Sequence, residues 1–100
     1  MIPLDAVALA TLVGQLPGWR CEGNALVRVY IFSDFSVALD FMQSCVGDIN
    51  RLNHHPEWRN VYDRVDVRLT THAAGNRITA LDGELAQLLD ARAVNAGAKA

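Results

Sequence analysis

The stretch NHHPEWRNVYDRVDVRLTTH, residues 53–72, decides the fold. Within it Val65, Val67, Leu69 and Thr71 alternate with Asp66, Arg68, Thr70 and His72, the period of a strand with one buried and one polar face. Residues 58–62 form a second strand, and the short polar step between the two makes them a hairpin. Pro56 disfavours a helical conformation at His55, so any helix upstream has to end before this hairpin starts.

Upstream, Phe35, Ala38, Leu39, Met42, Val46, Ile49 and Leu52 keep helical spacing for about five turns, and Ser33 or Asp34 is placed to cap the first of them. Val37, Phe41 and Cys45 widen this apolar stripe beyond what one sheet face should cover. Two readings fit: a broadly buried core helix, or a helix whose extra flank packs on another subunit. Before it, residues 19–22, the turn pair Gly23-Asn24 and residues 25–32 read as another hairpin, and residues 4–16 as a short first helix closed by Pro17-Gly18. Downstream, residues 73–76 are a loop. Thr79-Ala80-Leu81-Asp82 fits a capping box ahead of a last helix running to about Ala93. The expected fold is α+β in the order α-β-β-α-β-β-α, a four-stranded antiparallel sheet with three helices on one face, leaving the polar sheet face for ligand chemistry. The chain, residues 1–100, is expected to be one domain, with a frayed tail over about 94–100.

Composition narrows the function. Nine basic against eleven acidic residues give a net charge of −2 with no basic run, which argues against direct nucleic-acid binding. The start of the chain lacks the pattern of a secretory signal, and no apolar run approaches the ~18–20 residues of a membrane span. Cys21 and Cys45 stand in no ligand-type spacing and are expected to be reduced, which fits a cytoplasmic protein.

The oddity is the placement of the three histidines, an adjacent pair at His54 and His55 and the third at His72. On the residues alone three readings stand. The pair makes only loop hydrogen bonds while His72 is a polar strand end. Or the imidazoles hold zinc, although no cysteine stands at ligand spacing and the usual His-x-x-x-His pattern is absent. Or they carry out acid/base chemistry on a bound organic molecule, since an imidazole with a pKa near ~6.5 both gives and takes a proton near neutrality.

The segment 53–58, with Asn60, Val61 and Tyr62, then residues 65–72, then Thr79 and Asp82, closely resembles the pterin-4a-carbinolamine dehydratase family. The resemblance extends more loosely over the whole chain, including Gly18-Trp19 and residues 32–35. It implies the same α-β-β-α-β-β-α order and a metal-free, cofactor-independent loss of water from a 4a-hydroxytetrahydropterin, giving the quinonoid dihydropterin in pterin recycling. On that resemblance the catalytic set is His54, His55 and His72, with His54 and His72 as general acid/base and His55 mainly holding the pterin. The substrate-binding set is His55, Pro56, Trp58 and Asp82: Pro56 and Trp58 shape the pocket mouth, and Asp82 orients a histidine or caps its helix. Trp58 and Tyr62 are expected to serve packing more than ring stacking.

One position departs from the family pattern. Four residues before His54, where the family usually carries an ionisable side chain, this chain has Asn50, a change expected to weaken activity or redirect the scaffold. Asp48 lies about 200° from it around a helix and does not simply replace it. The resemblance also implies an alternative, a non-catalytic assembly or interaction protein. Relatives serve as dimerisation cofactors of a homeodomain transcription factor or help assemble ribulose-bisphosphate carboxylase. Either reading suits a homodimer or homotetramer joined through the 35–52 helix and a sheet edge, with a protein client in the second case.

Overall fold

A computed structural model of the chain describes residues 1–99. The elements are α1 (Ala6–Gly14), β1 (Arg20–Glu22), β2 (Ala25–Ile31), α2 (Phe35–Leu52), β3 (Glu57–Val61), β4 (Arg64–Leu69), a single 3-10 turn at His72–Ala74, and α3 (Ala80–Asn95). The strands form one antiparallel sheet in the order β1-β2-β4-β3. The expected α+β architecture is thus present; the first hairpin turns at Gly23-Asn24, and the second turns at Tyr62-Asp63, one residue earlier than the expected strand end.

Register decides which side of each strand is buried. Leu26 pairs with Leu69, Arg28 with Val67 and Tyr30 with Val65, so these residues share the face turned toward the helices. Leu26, Tyr30, Val65, Val67, Leu69 and, just past β2, Phe32 are all buried there. The opposite face carries Val29 beside Asp66 and Val27 beside Arg68 and stays open.

The long α2 shows the clearest difference from expectation. Phe41 and Cys45, placed beside the apolar stripe by sequence, are fully buried, and the Phe41 ring lies 4.8 Å from that of Phe32 and 5.1 Å from that of Tyr30. Phe35, Leu39 and Val46, assigned to the stripe itself, remain 45%, 42% and 46% exposed. The apolar arc of this helix is wider than the sheet can cover, and hydropathy alone does not say which edge of the arc turns inward. Burial lifts the Cys45 thiol to about 11.

Caps fix the helix ends. Asp34, and Asp5 ahead of α1, accept a backbone N–H in the first turn. Thr79 and Asp82 form the reciprocal capping box at α3. The helix α1 packs against the core through Leu9, Leu12 and Val13, and Leu12 lies so close to Gly83 of α3 that a Cβ there would sit 2.7 Å from it. Val7 of the same helix is exposed.

Two ionic clusters tie α3 to its neighbours. One oxygen of Asp90 accepts from Trp19 Nε1 at 3.0 Å, from Arg28 at 3.0 Å and from the Tyr30 hydroxyl at 2.5 Å. Arg92 donates to Asp48 of α2 at 2.9 Å, and Arg51 reaches the same carboxylate at 3.2 Å. The tail, expected to be frayed over about 94–100, is described as far as Lys99. The helix continues to Asn95, Ala98 N–H donates to Ala93 O at 2.9 Å, and Lys99 N–H donates to Ile31 O at 2.8 Å. These bonds cap the helix end and lay the segment along the end of β2; Ala100, the last residue of that expectation, lies outside the described residues.

Candidate active site

The site grows from the end of α2. Asn53 takes a left-handed conformation, φ 49°, which halts the helix and turns the chain, and Pro56 keeps the residue before it extended. Successive side chains of extended backbone point to opposite sides. His54 accordingly turns inward and is buried, while His55 faces outward and is exposed. On the neighbouring strand β4 ends at Leu69. Thr71 then bridges to Arg77, and His72 opens the 3-10 turn as an exposed residue.

His54, His55 and His72 line one cavity of about 330 Å³, with Asn53, Thr70, Thr71, Ala73 and Leu81 among its other walls. This cavity sits at the end of the sheet rather than on its polar face, and His72, expected at the end of the last strand, belongs to the 3-10 turn beyond it. The sheet face has its own depression of about 380 Å³. There Arg20, Arg64 and Arg68 are paired with Glu22, Asp66 and Glu57, and no histidine contributes.

Behind the histidines lies Asp82, fully buried. Its Oδ1 is 2.6 Å from His54 Nε2, and its Oδ2 accepts from Thr71 Oγ1 at 2.7 Å and from Thr79 N–H at 2.9 Å. The sequence left open whether Asp82 orients a histidine or caps its helix. It does both, one oxygen for each task. An ionised carboxylate only accepts, so His54 carries its proton on Nε2, and Nδ1 is the nitrogen left for chemistry.

Two residues expected at the pocket mouth are not among its walls. Trp58 pairs with Val67 on the helix-facing side of the sheet and packs half-buried against the core, and Pro56 is half-buried outside the cavity lining. In β3 the two-residue alternation turns Trp58 to the side of the sheet that the core occupies. Tyr62, expected to pack, occupies the β3–β4 turn with φ 50° and is 64% exposed.

Asn50 is exposed on the last turn of α2, and the carboxylate that engages His54 comes from α3. The amide at position 50 therefore gives no ground for doubting the histidine arrangement. Sequence reading missed the part played by Thr71. Its place at the end of the buried face of β4 was the available signal, because a buried hydroxyl needs a partner. Among the described residues no three or more His, Cys, Asp or Glu side chains gather in a way that could hold a metal ion. The arrangement is suited to moving protons: one imidazole held by a buried carboxylate, facing a cavity that two exposed imidazoles share.

Comparison with known proteins shows what the chain is similar to. The family model described as pterin 4 alpha carbinolamine dehydratase matches residues 2–92. A protein of Opitutus terrae, named provisionally as a pterin-4-alpha-carbinolamine dehydratase, is 51% identical over 84 residues, covering 84% of this chain and 87% of its own. One from Bordetella avium with the same provisional name is 45% identical over 92 residues, 90% of this chain and 84% of its own. The crystal structure of a protein of Brucella melitensis, described as a transcriptional coactivator/pterin dehydratase, matches with a TM-score of 0.86 at 39% identity, covering 91% of this chain and 98% of that one.

Proposed function

The chain belongs to the pterin 4 alpha carbinolamine dehydratase family, and from that premise we propose that it is an active dehydratase of 4a-hydroxytetrahydropterins. The observation that carries the reading is the convergence of His54, His55 and His72 on one cavity with Asp82 buried behind His54. The buried carboxylate both caps α3 and holds His54 against the cavity, an arrangement that supports acid/base work there.

The reaction breaks the C4a–O bond. One imidazolium gives its proton to the departing hydroxyl, which leaves as water, while a neutral imidazole takes a proton from the pterin ring and a carbon–nitrogen double bond forms. His54, through Nδ1, and His72 fill these two roles, and His55 holds the ring. Asp82 supports His54 in either protonation state, because Nε2–H is a donor in both. The pterin is the substrate, and the histidines themselves supply both proton transfers.

Stopped-flow measurement of 4a-hydroxytetrahydropterin dehydration tests the reading. The wild-type chain should accelerate water loss over buffer, and His54→Ala or His72→Ala should each lower the rate by roughly 100-fold or more, the usual weight of a general acid or base. A wild-type rate equal to that of buffer overturns the proposal, and unchanged rates in both histidine variants overturn the assignment of roles.

The protein works as a homo-oligomer in this reading. Phe35, Leu39, Met42 and Val46 succeed one another at intervals of four, three and four along α2, the first, second and last of them well exposed, a seam of the kind two helices share. β1 and β3 are the sheet edges open to a second copy. Free Cys21 and Cys45 fit a reducing cytoplasm. No helix among the described residues is long and apolar enough to cross a membrane.

A further inference from the structure

We infer that Thr71 is a positioning residue that couples His54 to His72, an inference that rests on the dehydratase reading for its catalytic meaning. Its hydroxyl lies 2.7 Å from Asp82 Oδ2 and 2.8 Å from Thr79 Oγ1, and all three residues are buried. The direction of every bond is set by the carboxylate. Asp82 can only accept, so the one hydroxyl proton of Thr71 goes to Oδ2, and the Thr71 oxygen must then accept from Thr79 Oγ1–H. Thr79 Oγ1 in turn accepts from Leu81 N–H at 3.3 Å. The chain of donors runs one way, from the first turn of α3 through two hydroxyls into Asp82, and Asp82 presents its other oxygen to His54 Nε2. Each member fixes the next, and no buried side-chain donor or acceptor among the described residues lacks a partner.

The backbone of the same residue sets the other histidine. Thr71 N–H donates to Arg77 O at 3.0 Å, and Thr71 O accepts from Ala74 N–H and Asn76 N–H at 3.1 Å each. These bonds fold the turn that His72 opens. Thr71 thus holds the carboxylate of one imidazole with its side chain and the backbone of the other with its main chain. A change at this position therefore reaches both imidazoles, one through the side chain and one through the backbone.

Three variants and one spectrum test this. In wild type the His54 Nε2–H proton should appear as a downfield signal protected from solvent exchange, bonded to nitrogen in a proton–nitrogen correlation spectrum without substrate. Thr71→Val keeps the shape and removes the hydroxyl, and Thr71→Ala removes the bulk as well. In both, that signal should be lost to exchange and kcat should fall about tenfold with KM within about twofold, the size expected for orienting groups one step behind a site. Thr71→Ser, which restores the hydroxyl, should keep both signal and rate. A wild-type chain lacking the protected signal, or a Thr71→Val protein with wild-type signal and kcat, overturns the inference. So does a pair of Val and Ala variants that fail to fold while the Ser variant folds, since the hydroxyl is then a structural requirement alone. The spectrum needs no activity, so an inactive wild-type chain would sink the dehydratase reading and leave the hydrogen-bond coupling to be judged by the signal.

Discussion

Asp82 shows how much one side chain carries when both its oxygens are employed. Replacing it with Asn leaves a single acceptor and places an amide N–H₂ where either His54 Nε2–H or the Thr71 and Thr79 donors need a lone pair. Asp82→Asn should therefore cost about 1–3 kcal/mol of stability, read as a lower urea midpoint, and should lower the dehydration rate as well. Asn50 is the contrasting case. It is exposed and lies outside the Asp82 network, so Asn50→Glu should leave the rate close to wild type and shift stability by no more than about 0.5 kcal/mol in the same assays. The thiols divide in the same manner. Cys45 is buried and pushed up to about 11, whereas Cys21 is exposed, so an aromatic disulfide reagent should titrate one thiol in the native protein and both in denaturant. Much of the site was legible because its histidines and Asp82 fall within one continuous stretch, residues 54–82, where proline, strand alternation and a capping box all leave marks. The contact between His54 and Asp82, 28 positions apart, was not legible, since it depends on how α3 docks. Nor could two competing roles for Asp82 be separated from sequence, because they are not in competition.

At the scale of elements, α2 separates folding from association. Its inward edge, Ala38, Phe41, Cys45 and Ile49, belongs to the core, while Phe35, Leu39 and Val46 face outward. A charge at Phe41 therefore tests the fold: Phe41→Glu loses aromatic packing against Phe32 and Tyr30 and buries a carboxyl, a cost above about 3 kcal/mol that circular dichroism should register as loss of structure. Leu39→Glu tests the interface instead. Its spectrum and melting behaviour should remain those of a folded chain while light scattering reports a smaller mass. An unchanged mass would count against a helix-mediated assembly. The order of elements was legible from punctuation alone, Pro17-Gly18, Gly23-Asn24, Pro56 and the Thr79 cap, because each marks a place where backbone geometry has few alternatives. The facing of α2 was not, because an arc too wide for one surface has two edges of nearly equal hydropathy.

The molecule as a whole is held by a sheet and by α3, which binds β2 through Asp90 and α2 through Arg92. The hydrogen bond from Arg92 is the main reason the Asp48 carboxyl sits below its ordinary range. A depressed carboxyl stabilises the fold above the value of the unfolded chain, near ~4, and that contribution drains away as pH falls through the lower folded value. Urea midpoints measured down a pH series should fall across that acid window, and Asp48→Asn should flatten this part of the curve; parallel curves for the two proteins would show that another group sets the acid limb. The order of the elements and the two hairpins were the part of the whole most fully written in the sequence, while the central pairing of β2 with β4 and these long-range ties became visible only in the folded structure. The Asp90 cluster also governs how the protein interacts with light. It pins the indole of Trp19, only 4% exposed, in the core beside Tyr30, whereas Trp58 stands half-buried on the edge strand β3. The chain's intrinsic fluorescence is thus split between a reporter of helix–sheet docking and a reporter of the sheet's open edge. In a Trp19→Phe background the remaining emission becomes an optical gauge of whatever comes to lie along β3.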